Sequence, residues 1–286
     1  MTGKDQYKIS VITASYNSAR TIEQTIQSVV GQTYGNIEYI IIDGGSTDGT
    51  VDIIKKYEDK IAYWVSEPDK GIYDAFNKGV QAATGEYVQF LGSDDCLCDV
   101  SSIKNVIQNL SIDVDILSAN VWEVEGRWSI QRIINNAHAI DKRRFNGNMI
   151  PHPGMFTRRE LLLEHPFDIS YKIAADYLFF LTCYYDEKVK FSYIELPVVF
   201  FSSEGISSNQ LRLLTEENNR VRSNFHLTSK EKSASETIKN GIKIIFKKCG
   251  VFEPIRYFVN RYVRKTWIPH HCKWELCRWC KHDSKL

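Results

Sequence analysis

Apolar positions along the chain fall into short unbroken runs separated by longer amphipathic stretches. Lys8–Ala14 (KISVITA), Glu38–Ile42, Ile61–Val65 and Glu86–Leu91 are β-rich and apolar on both faces, so each reads as a buried strand. Between them the apolar residues return at helical spacing. Ile22, Ile26, Val29 and Val30 precede Gly31, a good helix stop; Val51, Ile54 and Tyr57 follow, and then a small-residue helix from Ile72 to Ala83. The order is β-α-β-α-β-α-β. Strands apolar throughout, joined by helical crossovers, predict an α/β fold with a parallel sheet, right-handed connections and helices on both faces.

The polar residues gather where those strands end. Ser15-Tyr16-Asn17-Ser18, Asp43–Thr50 (DGGSTDGT), Ser66–Gly71 (SEPDKG) and Gly92-Ser93-Asp94-Asp95 all leave strand carboxyl ends. They therefore share one edge of the sheet, the edge at which open α/β sheets hold ligands. Asp43, the Asp69-Lys70 loop and Asp94-Asp95 should converge there. Two adjacent carboxylates directly after a buried strand are costly unless something cationic meets them. Hard divalent cations take oxygen ligands and bridge carboxylates to substrate phosphates. A polar turn with Asp95 capping the next helix is the other reading of the same residues. GxGxxG and Walker A loops are both missing from the sequence, so a nucleotide would have to be held in another way.

Past Asp95 the pattern is less regular. Asp115–Ala119 reads as a strand, and Val121–Val124 and Arg127–Ile130 flank Glu125-Gly126 as a hairpin. Asp176 opens a helix continued by Leu178, Leu181 and Thr182, and another helix runs from Asn209. From Lys230 the character changes. Ile238, Ile242, Ile245 and Phe246 form an apolar stripe beside lysines, followed by aromatics mixed with arginines. Over the whole chain the net charge is only +1, which argues against a nucleic-acid partner, yet Lys239 onward carries twelve basic against three acidic residues. Such a basic, aromatic-rich extension reads as a membrane-surface element drawn to anionic lipid; a helix packed on the main domain is the alternative.

Seven cysteines provide no disulfide framework and fit a reducing compartment. Met1–Lys8 is polar rather than a signal peptide, and no apolar run has the length of a membrane span. His270-His271-Cys272, Cys277, Cys280 and His282 contain one Cys-x2-Cys pair, a spacing seen in zinc sites but here without a second pair.

Taken together and in order, SVITASYNSARTIEQTIQSVVGQTY, EYIIIDGGSTDGT, SEPDKGIYDAFNKGVQAATGEYVQFLGSDD, HPGMFTRREL and AADYLFFL resemble a family 2 glycosyltransferase with the GT-A fold. The likeness spans most of residues 8–182. It implies a GT-A catalytic domain over 1–228, divided into a nucleotide-sugar half (1–100) and an acceptor half (101–228), with a basic helical C-terminal extension over 229–286. By the same resemblance Thr13, Ser15, Tyr16 and Asp43 hold the nucleoside, and Lys70, Asp74 and Asn77 hold the base, diphosphate or sugar. The chemistry is compatible: a carboxylate can accept the N3–H of uracil, and a tyrosine ring can stack on a base.

Asp94 and Asp95 resemble the last two carboxylates of an Asp-x-Asp-Asp metal motif. Gly92 stands where relatives have the first. Asp95 is expected at Mn2+ or Mg2+, and Asp94 at ribose or metal. Asp176 matches the catalytic base, with Ala175 in place of a preceding Glu, and His152 matches a histidine near diphosphate or acceptor. The implied activity is inverting transfer of one sugar from a nucleotide sugar, UDP-hexose or UDP-N-acetylhexosamine. The implied acceptor is a hydroxyl of a polyprenyl-diphosphate-linked glycan of bacterial surface polysaccharide, on the cytoplasmic face of the inner membrane. A nucleotidyltransferase and an inactive sugar-nucleotide-binding protein are the competing readings.

Overall fold

The computed structural model describes residues 7–111, 113–125, 130–135, 137, 149–203, 205, 210–227, 268–270, 277 and 279. Its first half follows the apolar pattern closely. The elements are β1 (Ile9–Ser15), α1 (Ile22–Val30), β2 (Ile37–Asp43), α2 (Thr50–Lys55), β3 (Tyr63–Ser66), α3 (Ile72–Ala82) and β4 (Tyr87–Phe90). β1 lies between β2 and β4 and is parallel to both, and β3 adds parallel to β2. All of β1 is buried, which explains its lack of alternation. β3 begins later than the sequence predicts and is the half-exposed edge strand.

The second half turns this into a mixed sheet. β5 (Cys96–Leu97), α4 (Ser102–Asn109), β6 (Ile116–Glu125), β7 (Ile130–Ile134), β8 (Met155–Arg158), α5 (Arg159–Glu164), α6 (Ala175–Tyr185), β9 (Phe191–Ser202), α7 (Leu211–Asn224) and β10 (Ile268–Pro269) follow. The main strand order is β10-β7-β6-β8-β4-β1-β2-β3. β8 joins β4 to β6 and is antiparallel to both, while β9 runs parallel to β6. The two short strands expected at Asp115–Ala119 and Val121–Val124 are one continuous β6. Its antiparallel pairing with β7, Glu125 opposite Ile130, agrees with the expected hairpin.

Side-chain alternation separates two apolar layers. Ile12 and Ile40 face a cluster with Phe76 of α3 and Phe180 of α6. Val11 and Ile41 face the other, with Ile26 of α1 and Ile103 of α4. Each such fully buried side chain contributes about 1.5–3 kcal/mol. α3 lies so close to β1 that a Cβ at Gly79 would stand 2.5 Å from Ile12 Cγ2. At the amino ends of the strands the buried Glu38 accepts from Lys8, Ser10 and Thr84. Burial opposes its ionisation, but those donors outweigh burial and hold its pKa down to about 2.

The basic stripe from Ile238 to Lys248 lies outside the described residues, as do Cys272, Cys280, His271 and His282. The described end of the chain returns to the sheet, where β10 pairs antiparallel with β7. Buried His270 approaches Gln131 Oε1 through Nδ1 (2.7 Å) and Cys277 Sγ through Nε2 (3.3 Å). Among the described residues, no helix is long and apolar enough to cross a membrane.

Candidate functional site

The carboxyl ends of β1, β2, β3 and β4 carry the rim that the polar loops foretell. Asp43, the last residue of β2, is its internal anchor. Oδ1 accepts from Ser15 Oγ (2.8 Å) and Ser46 Oγ (2.6 Å), and Oδ2 accepts from Ser66 Oγ (2.6 Å) and the N–H groups of Gly45 and Ser46. One carboxylate thereby ties together the loops after β1, β2 and β3. Burial works against its charge, but the donors from Ser46, Ser66 and Ser15 outweigh burial and keep the carboxyl below its ordinary value. The β1 loop is fixed further by Asn17, whose positive φ of 48° suits an asparagine and whose side chain receives the N–H of Thr47. Ser18 and Ser93 share a hydroxyl–hydroxyl bond of 2.8 Å, joining that loop to the β4 exit.

The rim also brings Asp69 onto Gly44. A Cβ at Gly44 would lie 2.7 Å from Asp69 Oδ2, so the bare glycine makes room for a carboxylate from the next loop. Asp69 Oδ1 meanwhile accepts the N–H of Gly71.

The Asp94-Asp95 pair divides in two directions. Asp95 is 3% exposed; Oδ1 accepts the N–H of Ser202 (2.8 Å) and Oδ2 that of Gly92 (3.3 Å), so this side chain binds the β4 exit to the end of β9. Asp94 is half-buried on the rim, with an oxygen 3.8 Å from where a Gly205 Cβ would lie. Asp95 is thus tied into the protein, and Asp94 stands beside Gly92 and Gly205 on the rim. Gly92 is packed tightly as well: a Cβ there would stand 2.8 Å from Asp95 Oδ2. Among the described residues no three His, Cys, Asp or Glu side chains gather as a metal centre. One rim carboxylate suits a cation that arrives on a diphosphate better than one caged by protein alone.

Asp176 stands in the first turn of α6, as its sequence context predicts. Two donors reach it, Tyr73 Oη (2.8 Å) and the Tyr177 N–H (2.9 Å), and both fall on Oδ1. Among the described residues Oδ2 has no hydrogen-bond partner. Burial pushes the acid up to about 6, and the Glu217 charge pushes the same way against these donors. A carboxylate with that affinity for a proton, one oxygen held and one open, is equipped as a general base near neutral pH.

Other sequence-predicted residues divide between rim and scaffold. Tyr16 is 66% exposed and presents its ring. Lys70 is exposed on the loop before α3. Asp74 accepts the Lys70 N–H and lies 3.6 Å from Lys78 Nζ. Thr13 has no exposed surface and receives the Tyr39 hydroxyl; Ser15 is buried on Asp43. With Asp43 also buried, these three stand directly beneath the rim. Asn77 is likewise committed, its amide bonding both the C=O and the N–H of Phe167. His152 is packed among Phe76, Phe90 and Phe167, and burial lowers its pKa to about 3, so it is a neutral ring at physiological pH. Sequence reasoning missed the roles of Ser66, Tyr73 and Glu217, since none stands out by spacing. The SEPDKG motif did mark Asp69.

The model of glycosyl transferase family 2 matches residues 10–165. A PGL/p-HBAD biosynthesis glycosyltransferase of Mycobacterium tuberculosis is 29% identical over 215 residues, 71% of this chain and 79% of that protein. Among solved structures, S. aureus TarS 1–349 in complex with UDP superposes with a TM-score of 0.60 at 19% identity, over 90% of this chain and 73% of that one. The UDP-GlcNAc complex of the same protein gives 0.56 at 21%, over 69% of this chain and 59% of that one. Glucosyl-3-phosphoglycerate synthase from Mycobacterium tuberculosis, with Mn2+, UDP and glucosyl-3-phosphoglycerate, gives 0.58 at 19%, over 79% of this chain and 83% of that one. At these identities the structural likeness speaks for the GT-A fold alone. The family match spans over half the chain and takes in the whole β1–β4 rim, and on that ground the chain belongs to glycosyl transferase family 2, the glycosyltransferases that draw on nucleotide sugars.

Proposed function

We propose that this chain is an inverting glycosyltransferase that moves one hexose or N-acetylhexosamine from a UDP-sugar to a hydroxyl of a polyprenyl-diphosphate-linked glycan. The observation that carries the reading is Asp176: a carboxyl with raised proton affinity and an open oxygen, close to the helix that leaves the donor rim. The acceptor hydroxyl gives its proton to Asp176 Oδ2 as its oxygen forms a bond to the anomeric carbon. The bond from that carbon to the diphosphate oxygen breaks, and the nucleotide diphosphate leaves from the opposite face with the electron pair. One displacement inverts the anomeric centre.

Asp94 is the residue that would hold Mn2+ or Mg2+ together with the diphosphate. Bound there, the cation would offset the negative charge that builds on the leaving group. Tyr16 stacks on the base, and Lys70 and Asp69 line the same side. Asp43 serves as the scaffold beneath them.

UDP is favoured because the structural neighbours above were solved with UDP or UDP-GlcNAc. The lipid-linked acceptor and a place in bacterial surface polysaccharide synthesis rest on the basic, aromatic-rich stretch after Lys230, which would hold the enzyme peripherally on the cytoplasmic face of the inner membrane.

Thermal stabilisation by UDP, GDP, CMP and dTDP, with and without Mn2+, tests the donor, and sugar transfer by Asp176→Asn tests the base. A UDP-selective shift, and turnover lowered roughly 10²–10⁴-fold with that shift intact, is expected. Turnover that survives in Asp176→Asn removes the base assignment; equal or absent shifts for all four nucleotides remove the UDP donor.

A further inference from the structure

We infer that Tyr73 is a positioning residue for the base, its hydroxyl pinning Oδ1 of Asp176 so that Oδ2 alone is presented to the acceptor. The inference rests on the reading of Asp176 as the base and adds what aims it. Tyr73 Oη lies 2.8 Å from Asp176 Oδ1 and 2.6 Å from the carbonyl oxygen of Ile173. A phenol has one proton to donate, so the two acceptors compete for it.

When Asp176 is ionised the charged oxygen is the stronger acceptor and the proton points to Oδ1. Once Oδ2 has taken the acceptor's proton, the carboxyl is neutral, and the phenol proton can turn to Ile173 without leaving Tyr73. The hydroxyl has a partner at both ends of the reaction, and no proton leaves it. Tyr73 also stays a phenol throughout: burial, and then the nearby Asp176 charge, raise its pKa well above the ordinary value.

Both ends of this switch are held by separate elements. Tyr73 is 5% exposed and packed against Phe76 and Phe167, with ring centroids 6.3 and 5.5 Å away. The Ile173 segment is gripped from α7, where Glu217 accepts the N–H groups of Lys172, Ile173 and Ala174 at 2.8, 2.8 and 3.0 Å. Lys172 Nζ in turn donates to the carbonyl of Lys70 at 3.1 Å, next to the start of α3. The ionisable groups that act on Asp176 are thus Tyr73 from α3 and Glu217 from α7. The first favours the charged base and the second opposes it.

Tyr73→Phe removes the hydroxyl and keeps the ring. The acidic limb of kcat/KM should move to higher pH by about one unit, because the ionised base loses a donor. The kcat at neutral pH should fall roughly tenfold as the carboxyl loses its aim, while stabilisation by nucleotide stays as in the wild type. 3-Fluorotyrosine placed at position 73 alone preserves ring and hydroxyl and donates more strongly, so it should move the limb to lower pH; it serves also if Tyr73→Phe does not fold. An unmoved limb, in Tyr73→Phe or, where that does not fold, in the fluorotyrosine enzyme, with Asp176→Asn inactive, overturns the role of Tyr73 and leaves the base intact. An active Asp176→Asn overturns the base itself.

Discussion

Asp43 and Asp176 are carboxyls withdrawn from water that meet opposite fates. The β2 end surrounds Asp43 with three hydroxyls and two backbone N–H groups, spread over both oxygens. The start of α6 gives Asp176 two donors, both on one oxygen. Burial penalises the charge in each case; at Asp43 the donors outweigh it, whereas at Asp176 deeper burial, with the Glu217 charge, outweighs two donors. A fully satisfied carboxylate is a fastener and has no lone pair left for a substrate. A half-satisfied one is reactive. The contrast separates scaffold from chemistry more sharply than position on the rim does.

The largest effect expected from disturbing this contrast is at the fastener. Asp43→Asn places an amide N–H2 among five donors and should cost about 3 kcal/mol of stability, read as a lower denaturation midpoint in urea at unchanged slope. A loss under about 0.5 kcal/mol would mean that the hydroxyls repack and that the donor count is not what holds the loops. At Asp176 the sign reverses. Its folded pKa of about 6 lies above the ordinary 3.8, so its contribution to stability is full below 3.8 and is lost as pH rises through 6. Asp176→Asn should therefore raise Tm at pH 8 by roughly 2–6 °C and leave it nearly unchanged at pH 4. A Tm lowered at both pH values would show that the charge is structurally needed. The smallest effect is at Gly44→Ala. The added methyl would displace the Asp69 carboxylate, so a several-fold rise in donor KM with Tm within about 2 °C is expected. An unchanged KM would place Asp69 outside the donor site.

How far the sequence foretold this molecule varied along the chain. The β1–β4 half was legible because its strands are buried on both faces and its helices have an apolar stripe, so the two periods never blur. β8 and β9 were not. β8 is four residues long and runs straight into α5. β9 contains Pro197, which argues against a central strand, and the sheet accommodates it where the β6 register shifts around Asn120. At the rim the carboxylates were visible as residues, but their directions were not. The hold on Asp95 depends on Ser202, more than a hundred positions away, and the support of Asp176 depends on Tyr73 and Glu217 from two other helices. Long-range hydrogen bonds of that kind leave no local pattern.

The return of the chain at Ile268–Pro269 bears on self-association. Two residues of β10 cover part of the outer edge of β7, where Ile133 is 47% exposed, and His270 and Trp279 close over Phe200. An uncovered strand edge is a template for pairing with another molecule. At the opposite end of the sheet the edge is guarded by brevity, β3 being four residues long. Ile268–Pro269, His270 and Trp279 therefore act as a selvedge, and a protein trimmed back to Leu227 would keep every rim residue while baring a sticky border.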